Sequence, residues 1–285
     1  GSCLRSRLMH SGESTGNPRV SLAHSVIPVL LYDGKTLVKG QRFASDRTVG
    51  NPVQQARVYT SVRDVDELVL LDVRATIEKR GPSLDLIRQV SETCFIPLVY
   101  GGGIASVDDA ARCIGAGAER VVVSSAAILN AEPVGMLISQ IAERWGSNAV
   151  TAAIDFRRVA DSLRVAVRSN TLLTSMSAEQ WAQIAVARGA GELLLQSIDR
   201  DGTLGGYDLE AIRSIRAAAP GVRLVASGGC GTYEHMAEAI DEGADAVAAG
   251  AMWVFTDQTP KAARQYLKAR GYEVRPPMRL LEKTR

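Results

Sequence analysis

The sequence predicts an α/β fold, a (βα)8 barrel of TIM type built from two (βα)4 half-barrels. Three observations predict it. From Val26 onward, eight short apolar runs alternate with longer segments of helical pattern, as βαβ units around a parallel sheet require. The runs are apolar almost without a break, which is what strands buried on both faces must be. The chain also repeats itself. Glu67-Leu68-Val69-Leu70 returns as Glu192-Leu193-Leu194-Leu195, and Gly102-Gly103 returns as Gly228-Gly229. Gly117-Ala118 and the strand behind it return as Gly243-Ala244 and theirs, each about 125 residues on. A constant offset in preserved order implies two similar halves of four βα units. A doubly wound open sheet would show the same alternation, but eight strands in ~250 residues suit a closed barrel.

The elements follow in order. Residues 1–24 are rich in Ser, Arg and Gly and lack an apolar centre. Gly1-Ser2 reads as a cleavage scar, so this stretch is expected to be a disordered or tag-derived tail. Residues 25–275 form the single barrel, and 276–285 a C-terminal tail. Strand one is 26–31, followed by a helix over 52–60. Strand two, 67–72, precedes a helix over 84–93. Strand three, 96–100, runs into Gly101-Gly102-Gly103 and a helix over 107–114. Strand four, 120–124, is followed by a helix over 133–145. The second half repeats the plan: strand 150–155 and helix 178–188, strand 192–197 and helix 209–219, strand 223–226 and helix 233–242, and a last strand over 246–249.

Composition narrows the function. With 33 basic and 31 acidic residues, the formal charge of +2 gives no support to nucleic-acid binding. No apolar run approaches the ~18 residues of a membrane span. The four cysteines, Cys3, Cys94, Cys113 and Cys230, are far apart and form no CxxC pair, so reduced, mostly buried thiols are expected. Three histidines leave little for a metal centre. A cytoplasmic protein without metal or cofactor is the expectation.

In a barrel, chemistry sits at the C-terminal ends of the strands, and the glycines cluster there. Gly102 and Gly103 follow strand three, and Ser124 and Ser125 end strand four. Ser227, Gly228 and Gly229 end strand seven, and Ala249 and Gly250 end strand eight. Glycine-rich turns expose backbone N–H groups to anions. Both halves carry the feature, which predicts two phosphate sites and a small-molecule ligand phosphorylated at both ends. Tight turns alone are the alternative. Asp201-Gly202, after strand six, would turn beside the second site. Asp155 ends strand five and is the candidate general acid/base; the alternative is a helix cap or a salt bridge to Arg157 or Arg158. The repeat offers it no acidic partner on strand one, where Leu30 and Leu31 stand and Asp33 lies in a loop. Glu67, Arg120 and Glu192 open strands two, four and six at the opposite face. There they would ring the axis or simply be solvated.

These residues resemble the cyclase subunit of imidazole glycerol phosphate synthase, a histidine-pathway barrel fed with ammonia by a separate glutaminase. The resemblance runs from about Val26 to Arg275. It rests on Ile27-Pro28, Leu37-Val38-Lys39-Gly40, Asp66-Glu67-Leu68, Gly101-Gly102-Gly103-Ile104, Ala153-Ile154-Asp155, Ser197-Ile198-Asp199-Arg200-Asp201-Gly202 and Ala226-Ser227-Gly228-Gly229. It implies two phosphate sites and an ammonia conduit along the axis. It also implies that Asp155 is one of two catalytic aspartates, that Lys39 lies on a mobile active-site loop, and that Asp201 and Gly202 belong to the ligand site. Glu67, Arg120 and Glu192 would be ammonia-gate members, with Glu119 an acid at the glutaminase interface.

Three departures stand against this pattern. Leu31 occupies the position of the other catalytic aspartate and cannot move a proton. Ser25 replaces the gate arginine. Arg168-Ser169-Asn170-Thr171-Leu172 replaces a Gly-Lys-rich loop. The first reading is therefore a divergent paralogue that conducts ammonia for amidation of a sugar in surface-polysaccharide synthesis, with a glutaminase and a sugar amidotransferase as partners. Details resembling that group are Val29-Leu30-Leu31, the stretch Glu92-Thr93-Cys94-Phe95-Ile96-Pro97-Leu98, and Phe255-Thr256-Asp257-Gln258-Thr259-Pro260 with Tyr266-Leu267. The second reading is a genuine cyclase, which joins ammonia to a phosphoribulosyl formimino-aminoimidazole carboxamide ribonucleotide. The third is a non-catalytic phosphate-binding scaffold that activates a glutaminase.

Overall fold

The computed structural model describes residues 23–61, 65–129 and 133–275, without the side chains of 44–46. The remainder of the two expected tails, 1–22 and 276–285, lies outside the described residues. His24, grouped with the N-terminal tail by composition, is tied to the end of the barrel chain. Its N–H donates to the Glu273 carbonyl at 2.7 Å, and its carbonyl accepts from the Arg275 N–H at 2.9 Å.

Eight parallel strands close into a barrel. They are β1 (Ser25–Tyr32), β4 (Leu68–Asp72), β5 (Leu98–Gly101), β6 (Arg120–Val123), β7 (Val150–Val159), β10 (Glu192–Ser197), β11 (Arg223–Ser227) and β12 (Ala246–Ala249). Each pairs with the next, β12 returns to β1, and β7 pairs with β10 between the halves. Closure leaves the eight barrel strands no free edge. Two hairpins interrupt the alternation, and the sequence did not reveal them. β2 (Leu37–Gln41) and β3 (Ala44–Gly50) follow β1; β8 (Ser162–Val167) and β9 (Leu172–Ser177) follow β7. Both insert after the first strand of a half, so the duplication extends to them.

The helices are α1 (Pro52–Ser61), α2 (Leu84–Thr93), α3 (Val107–Gly115), α4 (Ser125–Leu129), α5 (Met136–Trp145), α6 (Ala178–Ala187), α7 (Leu209–Ala218), α8 (Tyr233–Asp241), α9 (Ala251–Phe255) and α10 (Pro260–Ala269). None is long and apolar enough to cross a membrane among the described residues. Side-chain oxygens cap the N-termini: Ser106 accepts from the Asp109 N–H, and Thr232 from the His235 N–H. These two caps again stand one repeat apart.

Strand alternation splits the core in two. Val26 and Leu30 face outward into the layer between sheet and helices, with Leu70, Tyr100, Ile154, Phe156 and Trp181. Ile27 and Val29 face the axis with Val69, Val99, Val122, Ala153, Leu194, Val225, Ala246 and Ala248, and Leu31 and Leu71 pack against them. Indole and phenol tips pin helices and loops to strands. Trp181 Nε1 donates to the Ala153 carbonyl at 2.9 Å, and Tyr207 Oη to the Ala248 carbonyl at 3.0 Å. Cys94, Cys113 and Cys230 are buried free thiols.

Candidate active site at the barrel mouth

The glycine pairs form the rim. Gly102 has φ +108°, and a Cβ there would overlap the backbone of Asp72 at the end of β4. In the other half Gly228 has φ +88°, and its Cβ would meet the Ser197 carbonyl at the end of β10 at 2.6 Å. Asp72 and Ser197 are themselves one repeat apart. Close chain approach thus requires glycine at both positions.

Asp155 lies at this mouth, on the same face of β7 as the axial Ala153. Its carboxyl is pushed up to about 7, chiefly by burial; the Ser124 hydroxyl, 3.4 Å away, opposes the shift and Asp201 adds to it. The arginines that might have neutralised it are engaged elsewhere. Arg157 pairs with Asp199 at 3.2 Å and Arg158 with Asp208 at 3.0 Å. Asp155 is therefore neither a helix cap nor half of a salt bridge.

The β2–β3 hairpin folds over the mouth. Gln41 Nε2 donates to the Gly202 carbonyl at 3.4 Å, and a Cβ on Gly202 would overlap the Gly40 carbonyl. This clamp buries Lys39, which lies on a strand rather than in an open loop. Its ammonium donates to the Val29 carbonyl at 3.0 Å and lies so close to Gly250 that a Cβ there would overlap it. Burial lowers the Lys39 amine to about 8, against the attraction of Asp201. Asp201 accepts from Gln196 Nε2 at 3.1 Å, and burial raises its carboxyl.

Leu31 faces inward beside Leu71, its partner in register, with no carboxylate at that point of the rim. Asp33 does not replace one. Its Oδ1 accepts from the N–H groups of Lys35 and Thr36, both at 2.8 Å, and so forms a local turn. Asp72, not singled out by the sequence, is equally occupied: Arg80 clasps it at 2.9 and 3.0 Å and Ser83 Oγ donates at 2.8 Å. The turn Arg168-Ser169-Asn170 joins β8 to β9 with three successive positive φ angles, 53°, 50° and 68°. Its Arg168 N–H donates to Ser125 Oγ at 2.7 Å, and Ser169 Oγ to the Val73 carbonyl at 2.9 Å. This hairpin straps the first-half rim as β2–β3 straps the second.

At the opposite face, Glu67, Arg120 and Glu192 meet on the axis. Arg120 Nη1 lies 3.3 Å from Glu67 and 2.8 Å from Glu192. Thr151 Oγ1 donates to Glu192 at 2.8 Å. A fourth member, Arg223, reaches Glu67 at 3.3 Å and also pairs with Glu192. These are buried ion pairs, not solvated strand starts. Arg223 opens its strand as Arg120 does, and that was the signal available for it.

The histidine biosynthesis protein family matches residues 25–258. The chain belongs to that family. It is 42% identical over 254 residues to the imidazole glycerol phosphate synthase subunit HisF of Exiguobacterium sibiricum, covering 89% of this chain and all of the relative. The HisF subunit of Thermobifida fusca is 40% identical over 262 residues, 90% of this chain and all of the relative. That of Chlorobium phaeobacteroides is 41% identical over 255 residues, 89% of this chain and 99% of the relative. The family match spans the whole closed barrel from β1 to β12.

Seen as a HisF-type barrel, the chain carries the most exposed large apolar side chain among the described residues on the face of the charged ring. Phe95, between α2 and β5, is 68% exposed. The exposed Glu119, one residue before β6, lies on the same face. Sequence reasoning named Glu119 but gave Phe95 no separate role.

Proposed function

We propose that this chain is the ammonia-accepting barrel subunit of an imidazole glycerol phosphate synthase. Its ligand would be a small molecule phosphorylated at both ends, and its ammonia source a glutaminase docked over the charged face. The observation that carries the reading is Asp155. It is a recessed carboxyl poised at about 7, between two glycine rims related by the internal repeat. A group titrating near working pH can both take and return a proton. Gly102, Gly103, Ser124 and Ser125 would hold one phosphate. Gly202, Ser227, Gly228, Gly229, Ala249 and Gly250 would hold the other, with Lys39 as the cation beside it and Asp201 holding that amine. Ammonia would enter through Glu67, Arg120 and Glu192 and travel the apolar axis to Asp155. The three relatives are each named as a histidine-pathway subunit, which ranks this reading ahead of sugar amidation.

Leu31 favours a second reading. A mouth with Leu31 where the second catalytic carboxylate is expected would deliver ammonia without closing a ring. The acceptor would then be a sugar held by a partner amidotransferase. One assay separates the two. The purified chain is given the phosphoribulosyl formimino-aminoimidazole carboxamide ribonucleotide with excess ammonium, and loss of substrate absorbance is followed. Turnover supports the cyclase. Binding without turnover overturns it in favour of delivery.

A further inference from the structure

The ring at the charged face is closed by a residue that the family resemblance does not supply. Glu67 immediately precedes β4, and Arg120, Glu192 and Arg223 are the first residues of β6, β10 and β11. Each arginine touches both glutamates. The contacts therefore run Glu67 to Arg120 to Glu192 to Arg223 and back to Glu67, a complete circuit about the axis with two charges of each sign. Between β11 and β4 lie β12 and β1, whose axial side chains nearest this end are Ala246 and Ser25. They are 0% and 2% exposed, and both are too short to reach the ring. Arg223 bridges that two-strand gap, while Arg275, bonded to the His24 carbonyl beside β1, adds a further positive charge near Glu67. The Arg223 Nη2 is buried and has no hydrogen-bond partner, an orphaned donor that costs stability unless it serves another purpose. Burial raises the Glu67 carboxyl, and of the two ring arginines Arg223 opposes that rise more.

We propose that Arg223 is the closing bar of an axial gate, taking over from β11 the place that Ser25 leaves vacant on β1. Above the ring the axis is lined by Ala246, Ala248, Ala153 and Val225, apolar side chains that disfavour an ion over a neutral molecule. That ammonia is the traveller rests on the function proposed above; that Arg223 closes the ring rests only on the geometry.

Two experiments separate the claims. First, Ala246→Cys places a thiol just inside the ring, and its modification by methyl methanethiosulfonate is timed against the unsubstituted chain. Adding Arg223→Ala should speed modification at least tenfold, and adding Ser25→Arg as well should slow it again. Equal rates with and without Arg223 would overturn the gate. Second, the full complex with the glutaminase of the same organism is assayed for product formed per glutamine hydrolysed. Arg223→Ala should lower this ratio several-fold and leave turnover with free ammonium within about twofold, and Ser25→Arg should restore it. An equal fall in both rates, or an unchanged ratio, would overturn the gate. If Arg223 gates the thiol of Ala246→Cys but the wild-type chain never turns over with ammonium, the proposed function is refuted and the gate stands.

Discussion

Replacing Asp155 by asparagine removes a proton equilibrium that the folded mouth distorts, and the size of that distortion follows from the structure. The carboxyl has an ordinary value of 3.8 and titrates at about 7 in the folded chain, mainly because it is buried. From pH 4 upward the unfolded chain loses this proton while the folded chain keeps it until pH 7. The folded state then binds more protons than the unfolded state, so stability falls as pH rises through this window and levels off above it. At about 1.4 kcal/mol per pH unit, the penalty is about 2 kcal/mol at pH 5 and about 4 kcal/mol at pH 8. Asparagine does not titrate. Whatever its packing costs, its stability relative to wild type should rise by about 2–3 kcal/mol between the two pH values. For a barrel of this size that is a relative Tm gain of about 5–10 °C. Thermal melts of both proteins at pH 5 and pH 8 read it directly. The same variant should lose ammonium-dependent turnover. A stability difference that is flat or falls with pH would refute the claim that Asp155 is held protonatable by burial, and with it the basis for assigning it the acid/base role.

Three further predictions concern other parts of the molecule. Gly102→Ala forces a side chain into φ +108° and against the Asp72 backbone; it should lower stability by about 1–3 kcal/mol or more, seen as a fall in the urea midpoint. Leu31→Asp adds a carboxylate to the rim opposite Asp155 and should raise ammonium-dependent cyclisation at least tenfold; an unchanged rate would show that this position does not limit the chemistry. Phe95→Asp removes an exposed aromatic from the charged face and should weaken glutaminase binding by about 1–3 kcal/mol, measured by titration calorimetry, with Tm unchanged.

The barrel was legible because its strands are buried on both faces. Runs such as Leu193-Leu194-Leu195 and Val121-Val122-Val123 have no other plausible home, and their predicted bounds agree with the structure to within a few residues. The hairpins were not legible. β9 is mostly exposed or half-buried, so Leu172 to Ser177 carries no alternation with a buried face. The tip of β8–β9 is made of Arg168, Ser169 and Asn170, which mark a turn without saying what flanks it. The helix expected over 133–145 begins only at Met136, because Gly135 takes φ +84° at its N-cap. Helices α4, α9 and α10 were also missed; the first two are five residues long and follow directly on rim residues read as turns. At the site, Asp155 and the glycine pairs could be found from position alone. The burial of the Lys39 amine could not, since it depends on a hairpin clamped against a turn more than a hundred residues away.

The duplication explains why the rims match and why the chemistry does not. Gly102 against Asp72 and Gly228 against Ser197 are the same contact made twice, so the proposed ligand with two similar ends would find two similar seats. The ends of the first strand of each half have diverged. β7 offers Asp155, and β1 offers Leu31. The hairpin of the first half then lays the Lys39 ammonium on the Val29 carbonyl, two residues before Leu31. An amine at about 8 and a carboxyl at about 7 thereby face a symmetric seat from two sides with different protons to give. A ligand bound in either orientation would satisfy the rims. Only one orientation would bring a given carbon to Asp155, and under the proposed function the asymmetry of the two strand ends would select it.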